Sequence, residues 1–393
     1  MRIALVTETY PPEINGVAMT LGRLADGLRR RGHALQLVRP RQRHHAEQAM
    51  QQAGPNELLL PSLPLPRYPG LRFGLPARGT LLTSWRKQRP DIVHVATEGP
   101  LGWSALGAAR QLDLPVSSSF HTNFDSYCGH YGIGWLRGSI ERYLRHFHNR
   151  CAVTLVPTQE QARRLAASGF HKLLVIARGV DTGLFNPARR SAELRRQWGA
   201  TEDTLVVASV GRIAAEKNLD LALHAFDGVR RVRPDARMVF VGDGPQKSAL
   251  AARHPNHVFA GMRHGEDLAA HYASADIFLL PSLTETFGNV TLEAMASGLG
   301  VVAYASAAAG ELIEDGIDGQ LATPGDEQRF IHAATSLAAD PGLLARLRLR
   351  AAARVSRLGW EDIHDTFAGV LDDVVRIHAR RQRSAGMFAV APD

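Results

Sequence analysis

Apolar residues fall along this chain in two alternating rhythms. Short continuous apolar runs, the mark of strands buried on both faces, are separated by stretches in which apolar residues recur about every 3.6 positions, the mark of helices with one buried face. In the first half the runs predict strands at 2–7, 34–38, 92–95, 116–120, 155–157 and 174–176. A helix is expected over 17–31, with Val17, Leu21, Leu24 and Leu28 on one face and Gly32 as its stop. In the second half strands are expected at 205–210, 238–241, 277–280 and 301–303, and helices at about 218–232, 268–274, 291–297 and 327–338. A last amphipathic helix is expected from Trp360 to about Gln382.

Strand–helix alternation of this kind builds parallel sheets wrapped by helices, so the expected class is α/β. The 393 residues exceed what one core ordinarily serves and fit two domains. The break is expected near Phe185-Asn186-Pro187, a turn signal ahead of a polar helix. Residues 1–186 then form one Rossmann-like domain and residues 187–359 another, with the carboxyl ends of both parallel sheets facing a central cleft where ligands bind. Residues 41–80 break the rhythm. They are Gln/His-rich and then carry Pro61, Pro64, Pro66, Pro69 and Pro76, which reads as a long irregular excursion of the functional kind.

Composition adds a globular signature, with 45% hydrophobic and 21% charged residues. No apolar run approaches the roughly 18 residues that span a bilayer. The net charge of +8 conceals an asymmetry: residues 1–190 hold 25 Lys+Arg against 12 Asp+Glu, and residues 191–393 hold 21 against 26. The basic half is either a solvated Arg-rich surface or a face that docks on something anionic. An anionic membrane or acidic acceptor suits it better than nucleic acid, because no aromatic-interleaved basic motif of a nucleic-acid module occurs. Cys128 and Cys151 follow no metal or redox spacing and fit reduced thiols. The chain opens directly in a strand, so a leader is not expected, and the expected location is cytoplasmic, peripheral at a membrane if the acceptor is a lipid.

The strongest chemical signal is Thr284-Glu285-Thr286-Phe287-Gly288-Asn289-Val290-Thr291-Leu292-Glu293, which follows an expected strand and opens an expected helix. Backbone amides of Phe287, Gly288 and Asn289 would sit at a helix N-terminus, ready for a phosphate, and Gly288 lets the backbone approach closely. Glu293 beside such an anion site suits an acceptor of vicinal hydroxyls; the plain alternative is a carboxylate that only favours the helix dipole. A second anion-holding element is Gly211-Arg212-Ile213-Ala214-Ala215-Glu216-Lys217, where Arg212 offers a planar fork and Lys217 a point charge to a diphosphate. No GxGxxG follows a strand and no Walker A sequence occurs, which argues against a dehydrogenase and a P-loop enzyme. In the first half, Glu8 to Val17 is a strand-to-helix loop with Tyr10, Asn15 and Gly16, and His121-Thr122-Asn123-Phe124-Asp125 follows a strand. His121 there is placed to hydrogen-bond a substrate, or is one of 17 ordinary histidines.

Together these elements resemble family-4 GT-B retaining glycosyltransferases over nearly the whole chain. Glu285 and Glu293, Arg212 with Lys217, Gly16-Val17 and His121 recur in the family's order. His121-Thr122-Asn123-Phe124-Asp125, Arg178-Gly179-Val180-Asp181 and Pro69-Gly70-Leu71-Arg72-Phe73-Gly74 are similar to the branch of GDP-mannose-dependent α-mannosyltransferases and related glycolipid glycosyltransferases. The resemblance implies that Arg212 and Lys217 bind the donor diphosphate and Glu293 the ribose. It implies that Glu285 contacts the transferred sugar, and that Thr286, Phe287, Gly288 and Asn289, with Gly16, line the donor. Met262 would lie against the base, and His121 would hydrogen-bond the sugar and assist attack. Tyr10, Asn15, Asn123 and Asp125 are the acceptor-side candidates. It also implies a helix at about 360–383 packing back on the N-terminal domain, a nucleotide sugar as co-substrate, no cofactor and no metal. Two positions depart from the pattern: Leu299-Gly300 replaces the proline after Ala296-Ser297-Gly298, and a Gly-rich turn reads Ser306-Ala307-Ala308-Ala309-Gly310.

The expected function is transfer of a hexose, mannose from GDP-mannose, to a lipid or glycan acceptor. The alternatives are a UDP-sugar-dependent glycolipid synthase, a nucleotide-sugar epimerase drawing on Glu8, Glu13, Glu98 or Asp125, and a glycan- or lipid-binding module without catalysis.

Overall fold

The computed structural model describes residues 1–13, 15–42, 56–64, 72–121 and 137–388, with side chains omitted at Arg137 and beyond Ser384. The chain divides into two compact units. The first comprises residues 1–122, 138–177 and 361–393, and the second residues 123–137 and 178–360. The change of unit thus falls between Ala177 and Arg178, ahead of the turn at Pro187.

The first unit holds strands Arg2–Val6 (β1), Ala34–Pro40 (β2), Glu57–Leu60 (β3), Ser62–Pro64 (β4), Arg72–Gly74 (β5), Ile92–Val95 (β6), Val116–Ser119 (β7), Val153–Val156 (β8) and Leu173–Val175 (β9). Among the described residues, seven of them form a sheet in the order β3-β2-β1-β6-β7-β8-β9, every pair parallel. The remaining two, β4 and β5, make an antiparallel ribbon. The region read as irregular therefore contributes an edge strand and a ribbon, and it ends in the helix Arg78–Lys87. These strands are short and proline-flanked, which hid them from a periodicity reading.

The second unit holds Val206–Val210 (β10), Arg237–Val241 (β11), Val258–Gly261 (β12), Ile277–Leu280 (β13), Gly300–Tyr304 (β14) and Gln320–Ala322 (β15). Their order is β12-β11-β10-β13-β14-β15, again parallel throughout. Two of these, β12 and β15, and the helix Pro341–Val355 were not expected from sequence. Strand β12 is only half-buried and β15 has three residues, so neither presents a continuous apolar run. Helices cover both faces of the sheet and bury two apolar clusters, one around Phe278, Leu292 and Val301, the other around Phe240, Phe226 and Phe330.

The terminal helix Trp360–Phe388 packs in the first unit, against the helix Gly16–Arg30. Contact is close at Gly27, where a Cβ would stand 2.3 Å from the His364 ring. Around it Arg31 pairs with Asp365 at 2.7 Å and Glu361 at 3.1 Å, and Phe367 meets the His94 ring edge-on at 5.0 Å.

Candidate functional site

In both sheets the loops leaving the carboxyl ends of the strands carry the chemistry, because backbone amides and side chains there are released from the ladder. In the second unit three loops converge. After β10 the chain turns through Gly211 and Arg212 and makes a short turn, Ala215–Lys217, before Asn218 opens the helix Leu219–Val232 in a left-handed conformation. After β11, Gly242 crosses this loop so closely that a Cβ would stand 1.9 Å from the Gly211 carbonyl oxygen. Ile213 N donates to the Asp243 carbonyl at 2.9 Å, which fixes the two loops together. A small depression lined by Gly211, Arg212, Lys217, Phe240 and Pro281 opens between them.

The third loop follows β13 and leads into the helix Asn289–Ala296. Gly288 caps that helix at φ +89°, a left-handed conformation that asks for glycine. Ser282 and Thr284 hydroxyls donate to the Glu216 carbonyl at 3.3 and 3.1 Å, tying this loop to the one after β10. Lys217 Nζ then reaches Glu285 in an ion pair whose carboxylate side chain is 13% exposed. Burial alone would raise the Glu285 pKa, but Lys217, the Ser282 hydroxyl and the charge of Arg178 outweigh it and hold the carboxyl below its usual value. Arg212 donates to Glu216 at 3.4 Å.

Glu293 lies on the second turn of the helix Asn289–Ala296 and accepts the Tyr272 hydroxyl at 2.9 Å. Burial pushes its carboxyl up to about 7, against the lowering effect of that hydrogen bond. Beneath the loop, Arg178 donates to Asn289 Oδ1 at 3.1 Å and lies over the Phe287 ring at 5.3 Å from its centre. The Phe287 carbonyl accepts the Ala308 amide at 2.8 Å, and Thr286 is partly exposed beside it. Met262, after β12, is 45% exposed and makes an apolar surface near the Gly242 turn, whose amide donates to the Gly261 carbonyl at 2.9 Å. Thus Arg212, Lys217, Glu285, Thr286, Phe287, Gly288, Asn289 and Glu293 fall on linked elements of one unit. Sequence reasoning quoted Arg178 only as part of a resemblance and did not single out Tyr272, which looked like any apolar-face helix residue.

In the first unit Gly16 is the first residue of its helix, and Asn15 caps it by accepting the Ala18 amide at 2.8 Å. The Asn15 amide also donates to Thr9 Oγ1 at 2.8 Å. Tyr10 is 8% exposed, with the Arg39 guanidinium 5.6 Å from its ring centre and Arg29 donating to its hydroxyl at 3.4 Å. Asn15 is thus engaged within its own loop and helix start, while Tyr10 meets Arg39 of β2 and Arg29 of the first helix. Asn123 and Asp125, like Cys128, lie outside the described residues.

His121 follows β7 and is partly buried. Strand β7 reads Val-Ser-Ser-Ser, with Ser117, Ser118 and Ser119 all buried, an unusual composition for a central strand. The reason is a polar layer under His121. His94 meets Ser117 and Ser119 hydroxyls at 2.9 and 3.0 Å, and burial pushes its pKa down to about 3, so it is neutral. His148 bonds Ser118 at 2.9 Å and Glu98 at 3.0 Å, and the Phe120 ring packs on it at 5.3 Å. Nearby, Glu8 accepts the Gly74 and Leu101 amides, and its carboxyl is pushed up to about 7 by burial. Glu13 accepts the Thr9 hydroxyl and the Gln42 amide. No group of three or more His, Cys, Asp or Glu side chains placed to hold a metal occurs among the described residues.

Two Rossmann-like units, each built on a parallel sheet, are the GT-B fold. The chain belongs to the glycosyltransferases of family 4 and group 1: residues 14–184 match the model of Glycosyltransferase Family 4 and residues 204–340 that of Glycosyl transferases group 1. It is 33% identical to a GDP-mannose-dependent alpha-mannosyltransferase of Mycobacterium tuberculosis, over 94% of this chain and 96% of that protein. A GDP-mannose-dependent alpha-mannosyltransferase of Corynebacterium glutamicum is 30% identical over 97% and 91%. An alpha-monoglucosyldiacylglycerol synthase of Streptococcus pneumoniae is 30% identical over 82% and 75%. Among solved structures, Anabaena Alr3699/HepE in complex with UDP superposes with a TM-score of 0.76 over 95% of this chain and all of that one, at 20% identity.

Proposed function

We propose that this glycosyltransferase is a retaining, metal-independent hexosyltransferase that moves mannose from GDP-mannose to a lipid or glycan acceptor. The observation that carries the reading is the convergence of Arg212, the Lys217–Glu285 pair and the N-terminal turn at Gly288–Asn289 on linked loops. In this reading Arg212, Lys217 and the helix amides receive the donor diphosphate and stabilise its negative charge as the sugar C1–O bond breaks. Glu293 accepts the ribose hydroxyls and Met262 flanks the base. Glu285, held ionised by Lys217, accepts sugar hydroxyls, while the acceptor oxygen bonds to C1 and passes its proton to the departing diphosphate oxygen. His121 hydrogen-bonds the sugar and assists that attack. Two cations and a helix dipole supply the charge stabilisation that a divalent ion supplies elsewhere, which is the ground for proposing metal independence.

Mannose from GDP-mannose is favoured by the two mannosyltransferase relatives, each matched over nearly its whole length. A UDP-sugar donor is the second reading, favoured by the pneumococcal glucosyldiacylglycerol synthase. An epimerase is disfavoured, because Glu8, Glu13 and Glu98 are engaged by amides, hydroxyls or His148. The excess of basic residues in positions 1–190 supports docking of the first unit on an anionic membrane where the lipid acceptor resides. No described helix is long and apolar enough to cross a membrane.

The test is thermal stabilisation and slow donor hydrolysis with GDP-mannose, UDP-glucose, UDP-N-acetylglucosamine and UDP-galactose, with and without EDTA. Selective response to GDP-mannose that survives chelation, lost in Glu293→Ala, is expected, with His121→Ala losing turnover and keeping GDP binding. Selectivity for a UDP-sugar overturns the donor, and loss of response on chelation overturns metal independence. Full activity in both variants overturns the site.

A further inference from the structure

We propose that Arg178 is a positioning residue of the transfer reaction, fixing the loop Glu285–Asn289 in its donor-binding conformation through the Phe287 ring and the Asn289 amide. The inference rests on the reading of that loop as the donor site, and it concerns a side chain that enters no step proposed above.

A guanidinium buried to 7% exposure costs free energy unless its environment repays it. At Arg195 of the same unit the partners belong to the structural core of the unit. Arg195, 2% exposed, donates to Asp276 and to the Ser274, Thr201 and Thr204 carbonyls. Arg178 is placed differently. It donates to a side chain of the loop, Asn289 Oδ1 at 3.1 Å, and stacks on another, Phe287, 3% exposed, at 5.3 Å. Its charge also acts favourably on the Glu285 carboxylate. Burial lowers its pKa to about 10, which leaves it protonated at neutral pH.

The backbone beside Arg178 is itself anchored. Val180 N donates to the Leu358 carbonyl at 2.9 Å, and Gly179 lies so close to Trp360 that a Cβ would stand 2.8 Å from its amide nitrogen. The loop is thus gripped from two sides: by Arg178 on the ring and amide, and by Ala308 N on the Phe287 carbonyl at 2.8 Å. Between the grips lies Gly288 at φ +89°, a residue whose backbone is not confined by a side chain of its own. Lysine cannot replace this function, because it has neither the plane that stacks nor the fork that reaches Asn289.

The experiment compares Arg178→Met, Arg178→Lys, Asn289→Ala and the double variant Arg178→Met/Asn289→Ala, using GDP-mannose hydrolysis, GDP binding by calorimetry and melting temperature. A displaced loop should lower kcat by about tenfold or more and GDP affinity by less than kcat, because Arg212, Lys217 and Glu293 still hold the nucleotide when the loop amides move. Arg178→Lys should recover little, and the double variant should be no slower than Arg178→Met, since Arg178→Met already breaks the link to Asn289. A kcat within twofold of the parent in Arg178→Met overturns the proposal. So do multiplicative effects in the double variant, or a loss of melting temperature without a change in kcat below the melting range. Should Arg178→Met fail to fold, Arg178→Lys, which keeps the charge and loses the plane and fork, carries the same kcat prediction. Failure of the donor-site reading looks different: the parent would show no GDP binding, or Lys217→Met and Glu293→Gln would keep it in full.

Discussion

The Tyr272 hydroxyl donates to Glu293 Oε2 at 2.9 Å from a ring that is fully buried, so the carboxyl on the proposed ribose position is built into the core of its unit. Burial raises its pKa from the ordinary 4.5 to about 7. The folded state then binds more protons than the unfolded state between these values, so stability is fullest below about pH 4.5 and falls as pH rises through 7. Glu293→Gln should flatten that decline by on the order of 1–3 kcal/mol in urea unfolding across pH 4.5–8. Glu8, raised to about 7 as well, contributes with the same sign, so the flattening is partial and grows in Glu8→Gln/Glu293→Gln. An unchanged slope in the double variant rules out both carboxyls as its source.

Lys217 is the partner that keeps Glu285 ionised in a largely buried place. Lys217→Met leaves that carboxylate with only the Ser282 hydroxyl and the charge of Arg178 to offset burial, and removes a cation from the proposed diphosphate position. Unfolding should become easier by about 1–3 kcal/mol, the lysine being 24% exposed, and GDP affinity should fall by about tenfold or more. Lys217→Met/Glu285→Gln should recover the stability and leave the affinity low. Recovery of both would mean that Lys217 serves the fold alone.

Gly27 sets the distance between the first helix and the last, since a Cβ there would enter the His364 ring at 2.3 Å. Gly27→Ala should cost about 1–3 kcal/mol despite the better helix propensity of alanine. His364→Ala, by making room, should reverse most of that loss. A Gly27→Ala variant as stable as the parent would show that the terminal helix shifts without cost.

Ala307 stands at φ +49°, in the run where the family's turn is often Gly-rich. A left-handed alanine is strained, so Ala307→Gly should raise the unfolding free energy by about 1 kcal/mol, less the added entropy of the unfolded chain. Because Ala308 N holds the Phe287 carbonyl, donor hydrolysis should be measured on the same variant; it should change less than twofold if the turn keeps its shape.

The strands β1, β6, β10 and β13 were legible because each is a short, mostly apolar run buried along its length. Edge strands lack that constraint, and β3, β12 and β15 went unseen. The loops after β10 and β13 were legible as chemistry because Arg212, Lys217, Glu285, Gly288 and Glu293 are types whose placement after a strand has few purely structural uses. Tyr272 and Arg178 were not. Their importance lies in which side chains they meet across the fold, and neither local period nor residue type encodes that.

By itself the sequence determined the α/β class, the two parallel sheets, the loops that carry charge and the family those loops resemble. All of these follow from short-range physics: apolar period, turn chemistry and charge beside a helix N-terminus. Only the tertiary structure decided which charges are paired. It set Lys217 on Glu285, Arg178 under Phe287 and Asn289, Tyr272 on Glu293, and Glu98 on His148. It also set the Arg39 guanidinium on the Tyr10 ring and Asn15 at the N-terminus of its helix. The physical reason is that burial and partners, which fix a side chain's charge and freedom, arise from residues far apart in the chain and brought together only by packing.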